Sequence, residues 1–288
     1  MAYIDNQLKS FKDMIEDAII TGGVAGKTSC IRSSALINLI HDAVKWELIE
    51  HSVRKENIRP PFGKTKPEIR MAGLLKQKDQ DVCVLPSGIK KKAEKITWGP
   101  MAFQDKTDPY GYEYSTNALV INVRSQMSSL AKNTDTILER TFAEALNLHM
   151  RYPKIVLGEV FLIPLFEYDD ELMKDNKVGF KRSKTNVERY ISFFNAINNR
   201  ALDEEAYKYE RCALLIVDFR PEMPILYRNS RQLKDAQIVS DAFDIEYAEL
   251  GFDTFAEDIL RVYADRYAIE NIQDIERIRR VISYVKKS

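Results

Sequence analysis

Cysteine, histidine and net charge are what this chain has least of. Its three cysteines, Cys30, Cys83 and Cys212, are odd in number and show no CxxC spacing. A disulfide-stapled mini-fold is excluded, and a reducing, cytoplasmic setting is expected, with the thiols serving as small apolar residues. His41, His51 and His149 fall in neither HExxH nor HxxxH spacing, which leaves a dedicated zinc site without its usual ligands. The 43 basic residues are cancelled by 43 acidic ones, so total charge neither demands nor excludes nucleic acid and its distribution must decide. Long hydrophobic runs are missing too. The longest, IVLGEVFLIPLF from Ile155 to Phe166, is interrupted by Glu159 and falls short of the roughly 18 residues a spanning helix needs; no membrane partner is expected. The opening MAYIDNQLKSFKDMIED mixes acids and bases and is not expected to be a signal peptide. With only 11 Gly and 10 Pro among 288 residues and 45% hydrophobic side chains, disorder and collagen are excluded, and the length suits one domain with a full core.

What is present reads as a mixed α/β chain. An amphipathic helix to Ile20, a break at TGGVAGKTS and a second helix from Ile31 to Ile49 come first; Leu36, Leu39, Ile40, Ala43, Val44 and Leu48 give the second one buried face, with Ser33 and Ser34 near its start as caps. Proline and glycine make a basic loop of Arg54 to Lys66. Strands are expected at Asp81 to Leu85, Ala118 to Val123, Ile155 to Tyr168 and Ala213 to Asp218, with a very basic turn, SGIKKKAEK, after the first. A helix after Gln126 places Ile137, Leu138, Phe142, Ala145, Leu146 and His149 on one face until Pro153 stops it, and further helices are expected at 187–198, 253–267 and 271–285. In the last of these, Ile275, Ile278, Val281, Ile282 and Val285 form a stripe that suits packing or a dimer contact. The expected architecture is a mixed central sheet flanked by helices, with a core over about residues 30–166 and helical and strand additions over 167–288.

GGVAGKTS invites a phosphate-loop reading, with ALLIVD as the acidic strand of a nucleotide hydrolase. A Walker loop needs four residues between its first glycine and the Gly-Lys pair so that backbone N–H groups wrap the phosphates; Gly22 to Gly26 leaves three, and the preceding segment has helical period. A glycine turn is the simpler reading.

The strand ALVINVRSQ is more informative. Alternation places Asn122, Arg124 and Gln126 on one face, opposite Val123 and Val120, and three polar side chains on an apolar strand need partners or solvent. A cleft floor is the natural place for them. Asp81 stands at the mouth of the neighbouring strand candidate, among basic residues.

The run NVRSQMSSLAKNTDTILERTFAEALNLH resembles the active-site strand and following helix of type II restriction endonucleases with the PD-(D/E)XK nuclease core: a strand end of acid, spacer, Lys and Ser, a Ser-rich loop, then a helix bearing Glu and Arg. Here these are Asn122 to Ser125, Ser128 to Asn133, and Glu139, Arg140 and Glu144. The resemblance implies a sequence-specific, Mg²⁺-dependent endonuclease that acts on double-stranded DNA as a homodimer, with Asp81 as main metal ligand and an acid of the long second helix, Asp42 or Glu47, nearby. The chain departs from the family in having Asn122 and Arg124 where Glu and Lys are usual. Asn122 still offers an oxygen to the metal and Arg124 still steadies phosphoryl charge, so the second carboxylate is expected from elsewhere, with Glu113 or Asp108 as candidates. Lys64, Lys66, Arg70, Lys90, Lys91 and Lys92 are expected to meet phosphates, and Gln126, Ser128, Ser129, Lys132 and Asn133 the backbone or base edges. A nuclease fold that has lost its chemistry and only binds DNA is the alternative.

Overall fold

The computed structural model describes residues 2–201 and 205–276. Helix α1 (Tyr3–Arg32) buries Ile4, Leu8, Phe11, Ile15 and Ile19 at helical spacing. The expected break at TGGVAGKTS is only a kink at Gly23 (φ 55°), where a Cβ would run into the Met173 carbonyl. The phosphate-loop reading fails on this geometry: the segment is helical, and Lys27 is 4% exposed, its Nζ 3.9 Å from Asp170 and 5.8 Å from the centre of the Tyr168 ring. Helix α2 (Ala35–Glu50) follows. Ser34 takes the cap position in a left-handed conformation without a side-chain cap bond, while the Ser33 hydroxyl accepts from the Ala35 N–H at 3.3 Å.

Short strands come next: β1 (Ile58–Arg59), β2 (Ile69–Ala72), β3 (Gln77–Gln80), β4 (Val82–Val84), β5 (Glu94–Lys95) and β6 (Thr107–Asp108), then helix α3 (Tyr112–Thr116). The apolar strand β7 (Leu119–Ser125) leads into helix α4 (Leu130–His149) and β8 (Val156–Pro164), buried at every residue. After β9 (Phe166–Tyr168), α5 (Asp170–Lys174), β10 (Phe180–Lys184) and α6 (Val187–Ala196) come β11 (Arg211–Asp218), β12 (Ile225–Tyr227), α7 (Ser230–Asp235) and α8 (Phe252–Arg266). Of the helix expected at 271–285, Asn271 ends a 3₁₀ turn and Gln273 bridges Val53; Ile278, Val281, Ile282 and Val285 lie outside the described residues.

The six-stranded sheet has the order β1-β4-β7-β8-β11-β12, parallel over β7-β8-β11 and antiparallel elsewhere. The fold is therefore α/β with a mixed central sheet flanked by helices. The parallel pairs need crossovers, which α4 and α6 supply on one face. One face packs Ile121, Val123, Val160 and Leu215 against α1, α2 and α8; the other packs Val120, Leu157, Phe161 and Ile216 with residues of α4 and α6. Val120 thus shares the face of Asn122 rather than opposing it. Gly158 lets α8 approach: a Cβ there would lie 2.7 Å from Ile259 Cδ1 and 2.8 Å from Phe255 Cζ.

Helix α4 keeps part of the expected face, with Ala145 and His149 buried and Ile137 packed on the core, and departs from it elsewhere. Thr134, Thr141, Ala145 and Leu148 point inward while Phe142 is exposed and stacks on Tyr207. Thr134 and Thr141 donate to the Leu130 and Ile137 carbonyls, which satisfies their hydroxyls inside the helix.

The sheet is locked to α4 and α8 by Glu210, which accepts from Leu157 N (2.7 Å), His149 Nε2 (3.2 Å), Arg200 Nη1 (3.0 Å) and Arg266 Nη1 (2.8 Å). Burial alone would raise its pKa, but these partners outweigh it and push it down to about 2. A carboxylate depressed in the folded state contributes stability above its unfolded pKa and loses it as pH falls toward about 2. Glu210→Gln should therefore lose about 3 kcal/mol at pH 7 and show a flatter decline than wild type between about pH 4.5 and pH 2 in urea unfolding. Parallel declines would show that another group carries the linkage.

Candidate active site

The resemblance points to the ends of β4 and β7. Val82 pairs with Ile121, so Asp81, one residue earlier, comes level with Asn122; Asn122 in turn pairs with Glu159 on β8. Asp81, Asn122 and Glu159 thus form a row across three neighbouring strands, which lie about 4.8 Å apart. Asp81 is half-buried where β4 parts from β7, and its Oδ2 accepts from the Val123 N–H at 2.9 Å. His41 of α2 lies within its electrostatic reach: burial lowers the His41 pKa, Asp81 opposes this, and His41 Nε2 is buried without a hydrogen-bond partner.

The polar face of β7 is not a cleft floor. Asn122 is 2% exposed and its Oδ1 has no partner. Arg124 does not point freely at solvent either. Its Nη2 binds Glu144 of α4 and lies 3.5 Å from Glu159, while Nη1 donates to Thr141 at 3.0 Å. Glu144 also accepts from Lys78 of β3 at 2.6 Å. Helix α4 and the β2–β3 hairpin therefore roof the face on which Asn122 stands.

Electrostatics divide the two glutamates. Burial would raise the pKa of Glu144, but Arg124 and Lys78 overcome it and the net shift is downward. Glu159 is fully buried, neither of its oxygens has a hydrogen bond, and desolvation wins over Arg124, raising its pKa to about 7. On Arg124 burial acts against the charge, and Glu159, Tyr209 and Glu144 outweigh it, so the guanidinium stays protonated. Glu144 belongs to the helix acids on which the resemblance rests, without an expected ligand role, whereas Glu159 does not stand out in the sequence because it is hidden in an apolar run.

The remaining acids have other duties. Asp42 accepts from Lys45 Nζ (3.0 Å) and Gly63 N (3.2 Å), tying the 60–66 loop to α2. Glu47 is half-buried and its pKa is raised by desolvation; the charges acting on it are His51, Asp253, Glu50 and Arg228, not Asp81. Glu113 is exposed on α3, before the first residue of β7 and so at the end away from Arg124. Asp108 is a buried anchor for Tyr152 Oη, Tyr110 N (3.1 Å) and Gly111 N (3.2 Å). None of these four joins the row.

The expected DNA contacts also separate. Lys90, Lys91 and Lys92 are exposed but follow the far end of β4, and Lys91 sits 5.2 and 5.3 Å from the ring centres of Tyr110 and Tyr114. Lys64, Lys66 and Arg70 are exposed; Lys66 pairs with Glu68, and Arg70 lies 3.8 Å from Asp79. Gln126 Nε2 donates to the Ser128 carbonyl. The N–H groups of Ser129 and Leu130 at the start of α4 are taken by Glu167, at 2.8 and 3.0 Å. Lys132 is exposed and Asn133 half-buried. At the end of β7 a cavity of about 290 Å³ opens between α2 and α4, lined by Ser34, Ile37, Arg124, Ser125, Gln126, Ile137, Arg140 and Phe161. Arg124 stands on its wall, between this cavity and the buried cluster.

Magnesium takes hard oxygen ligands, one or two carboxylates with water completing the octahedron. Among the described residues no three His, Cys, Asp or Glu side chains converge as a ready metal centre. The unpartnered oxygens of Asn122 and Glu159, with the rim carboxylate of Asp81, nevertheless form a donor set of the right chemistry. Comparison with protein-family models, with curated proteins and with solved structures found no match to this chain.

The ion cluster generates a stability prediction. Arg124→Met leaves Glu144 and Glu159 short of a cation and should cost about 3–5 kcal/mol. Adding Glu159→Gln should recover part of that loss, giving a coupling on the order of 1 kcal/mol in a urea double-mutant cycle. Additive effects would mean that Arg124 and Glu159 do not interact.

Proposed function

We propose that this chain is a Mg²⁺-dependent endonuclease that hydrolyses phosphodiester bonds in double-stranded DNA, a type II restriction enzyme working as a homodimer on two-fold sites. The observation that carries the reading is the row Asp81–Asn122–Glu159 beside Arg124, whose guanidinium also stands on the wall of a cavity with a second arginine, Arg140. The order of parts supports it: an acid-bearing strand, an antiparallel strand with the polar pair, a helix, then a parallel strand. Bound magnesium would supply the Lewis acidity that activates water and offsets charge on the phosphate. The chain's own residues do the rest. Asp81, Asn122 and Glu159 offer oxygens to the ion, and Arg124 and Arg140 draw the phosphate to the cavity mouth.

A second reading rests on Arg124 itself. With its guanidinium bound to Glu144 and Thr141, the fold suits a DNA-binding protein that performs no chemistry. Among the described residues no helix is long and apolar enough to cross a membrane.

Nicking and linearisation of supercoiled plasmid in Mg²⁺ separates the readings. Wild type should cut, and Asp81→Ala should stay folded and bind DNA yet cut nothing. A wild type inert in Mg²⁺ and Mn²⁺ on every DNA tried leaves only the binding reading, and an Asp81→Ala variant as active as wild type removes Asp81 from the site. Arg140→Ala should weaken all sequences about equally and lower the salt slope of binding by about 1; an unchanged slope would mean that Arg140 touches no phosphate.

A further inference from the structure

The run GGVAGKTS does not wrap a phosphate with its backbone, yet its side chains line a cavity. After the kink at Gly23, Val24, Lys27, Thr28, Ile31 and Arg32 recur at three and four along α1 and so share one face of the helix. With Ser128, Ser129 and Asp170 they enclose about 270 Å³ between α1, the loop that leads into α4, and the start of α5. Lys27 is the unusual part of this wall. Its side chain is 4% exposed, and an ammonium has three donors to satisfy. Among the described residues none of the three has a hydrogen bond: Asp170 Oδ1 is 3.9 Å away and the centre of the Tyr168 ring 5.8 Å. The other oxygen of Asp170 meets Lys181 at 3.3 Å. Burial lowers the pKa of Lys27 against the pull of Asp170 and Glu167. A buried cation left short of acceptors at a cavity wall is costly unless a ligand brings them.

The rest of the lining suits the same ligand. Arg32 is exposed and has no ion pair among the described residues, and Thr28, Ser128 and Ser129 add hydroxyls. A forked guanidinium, a point-charge ammonium and hydroxyls are what phosphate oxygens take. The start of α4 contributes nothing, since Glu167 holds the N–H groups of Ser129 and Leu130. This cavity adjoins the one at the end of β7: Ile31 lines both, and only Met127 separates Gln126 of one from Ser128 of the other. We propose that Lys27 and Arg32, with the hydroxyls of Thr28, Ser128 and Ser129, form a phosphate-binding subsite. It takes a backbone phosphate of the DNA strand that Arg124 and Arg140 meet in the adjoining cavity. The identity of the strand rests on the nuclease reading; the phosphate chemistry does not. Asp170 is then the competitor of the ligand for Lys27.

The test is binding of a fluorescent DNA duplex by the full chain in EDTA, read by anisotropy over a range of salt. Urea unfolding, Mg²⁺ plasmid cleavage and ³¹P NMR titration with inorganic phosphate and a nucleoside monophosphate accompany it. Lys27→Met and Arg32→Ala should each weaken duplex binding on the order of tenfold and lower the salt slope by about 1. Lys27→Met should need at least as much urea to unfold as wild type. Asp170→Asn should act in the opposite sense and tighten binding roughly threefold. If Lys27 only fastens α5 through Asp170, Lys27→Met and Asp170→Asn both unfold earlier and leave the salt slope unchanged, which overturns the subsite. Monophosphate binding that depends on Lys27, with duplex binding that does not, assigns the pocket to a free phosphate compound and overturns the strand path. Duplex binding that depends on Lys27 and Arg32 in a chain that cuts no DNA keeps the subsite and overturns the nuclease. Variants that bind and cut like wild type overturn the subsite while the nuclease stands.

Discussion

A carboxylate with no hydrogen bond sits in the middle of a fully buried strand, and much of one side of the molecule is arranged around that fact. Glu159 lies on β8 between β7 and β11, hydrogen-bonded strands on either side, so it cannot turn to water. Arg124 on β7 supplies the nearest opposite charge, Glu144 on α4 takes most of that charge, and Lys78 on the β2–β3 hairpin balances Glu144. The chain of contacts fixes how α4 and the hairpin close over the sheet. Packing alone would accept Leu or Val at position 159; a charge there needs another reason.

Two environments meet at Arg124. Inside lie the orphan oxygens of Asn122, Gln80 and Glu159; outside lies the cavity at the end of β7, with Arg140, Gln126 and Ser34. Asp81 stands at the seam, bonded to the β7 backbone and within electrostatic reach of His41, whose Nε2 has no hydrogen-bond partner. The function that suits this division is one in which a cation is held by the inner oxygens while an anionic substrate is held by the outer arginines. Phosphodiester hydrolysis has that requirement. The Glu210 network also borders a cavity, of about 400 Å³, but both of its carboxylate oxygens have donors, and its role is to fasten α4 and α8 to the sheet.

The fold was largely legible because apolar runs bounded by turn residues locate β4, β7, β8 and β11, and periodicity locates α2, α6 and α8. On α4 periodicity places Ile137, Ala145 and His149 but not Phe142, because threonines that bond their own helix take inward positions that Phe142 suits better by composition. The glycines at 22 and 23 signalled a turn, but a single left-handed residue was enough to bend the helix without ending it. Asp81 and the Asn122–Arg124 pair could be found by position along a strand. Glu159 could not, since an acid inside an apolar run looks like an interruption until its register partner is known to be Asn122. Asp42 and Asp108 are engaged by partners far along the chain, Gly63 and Tyr152, and Glu47 is governed by burial and by His51 one turn on, none of which shows in the sequence pattern.

The nuclease reading turns on one location, the row of Asp81 before β4, Asn122 of β7 and Glu159 of β8. Anomalous diffraction from crystals soaked in Mn²⁺ would examine that location directly. The account predicts a peak there, at about 2.1–2.2 Å from the ligand oxygens as a hard ion of this size requires. A peak only elsewhere on the protein, or no peak at all, would contradict it.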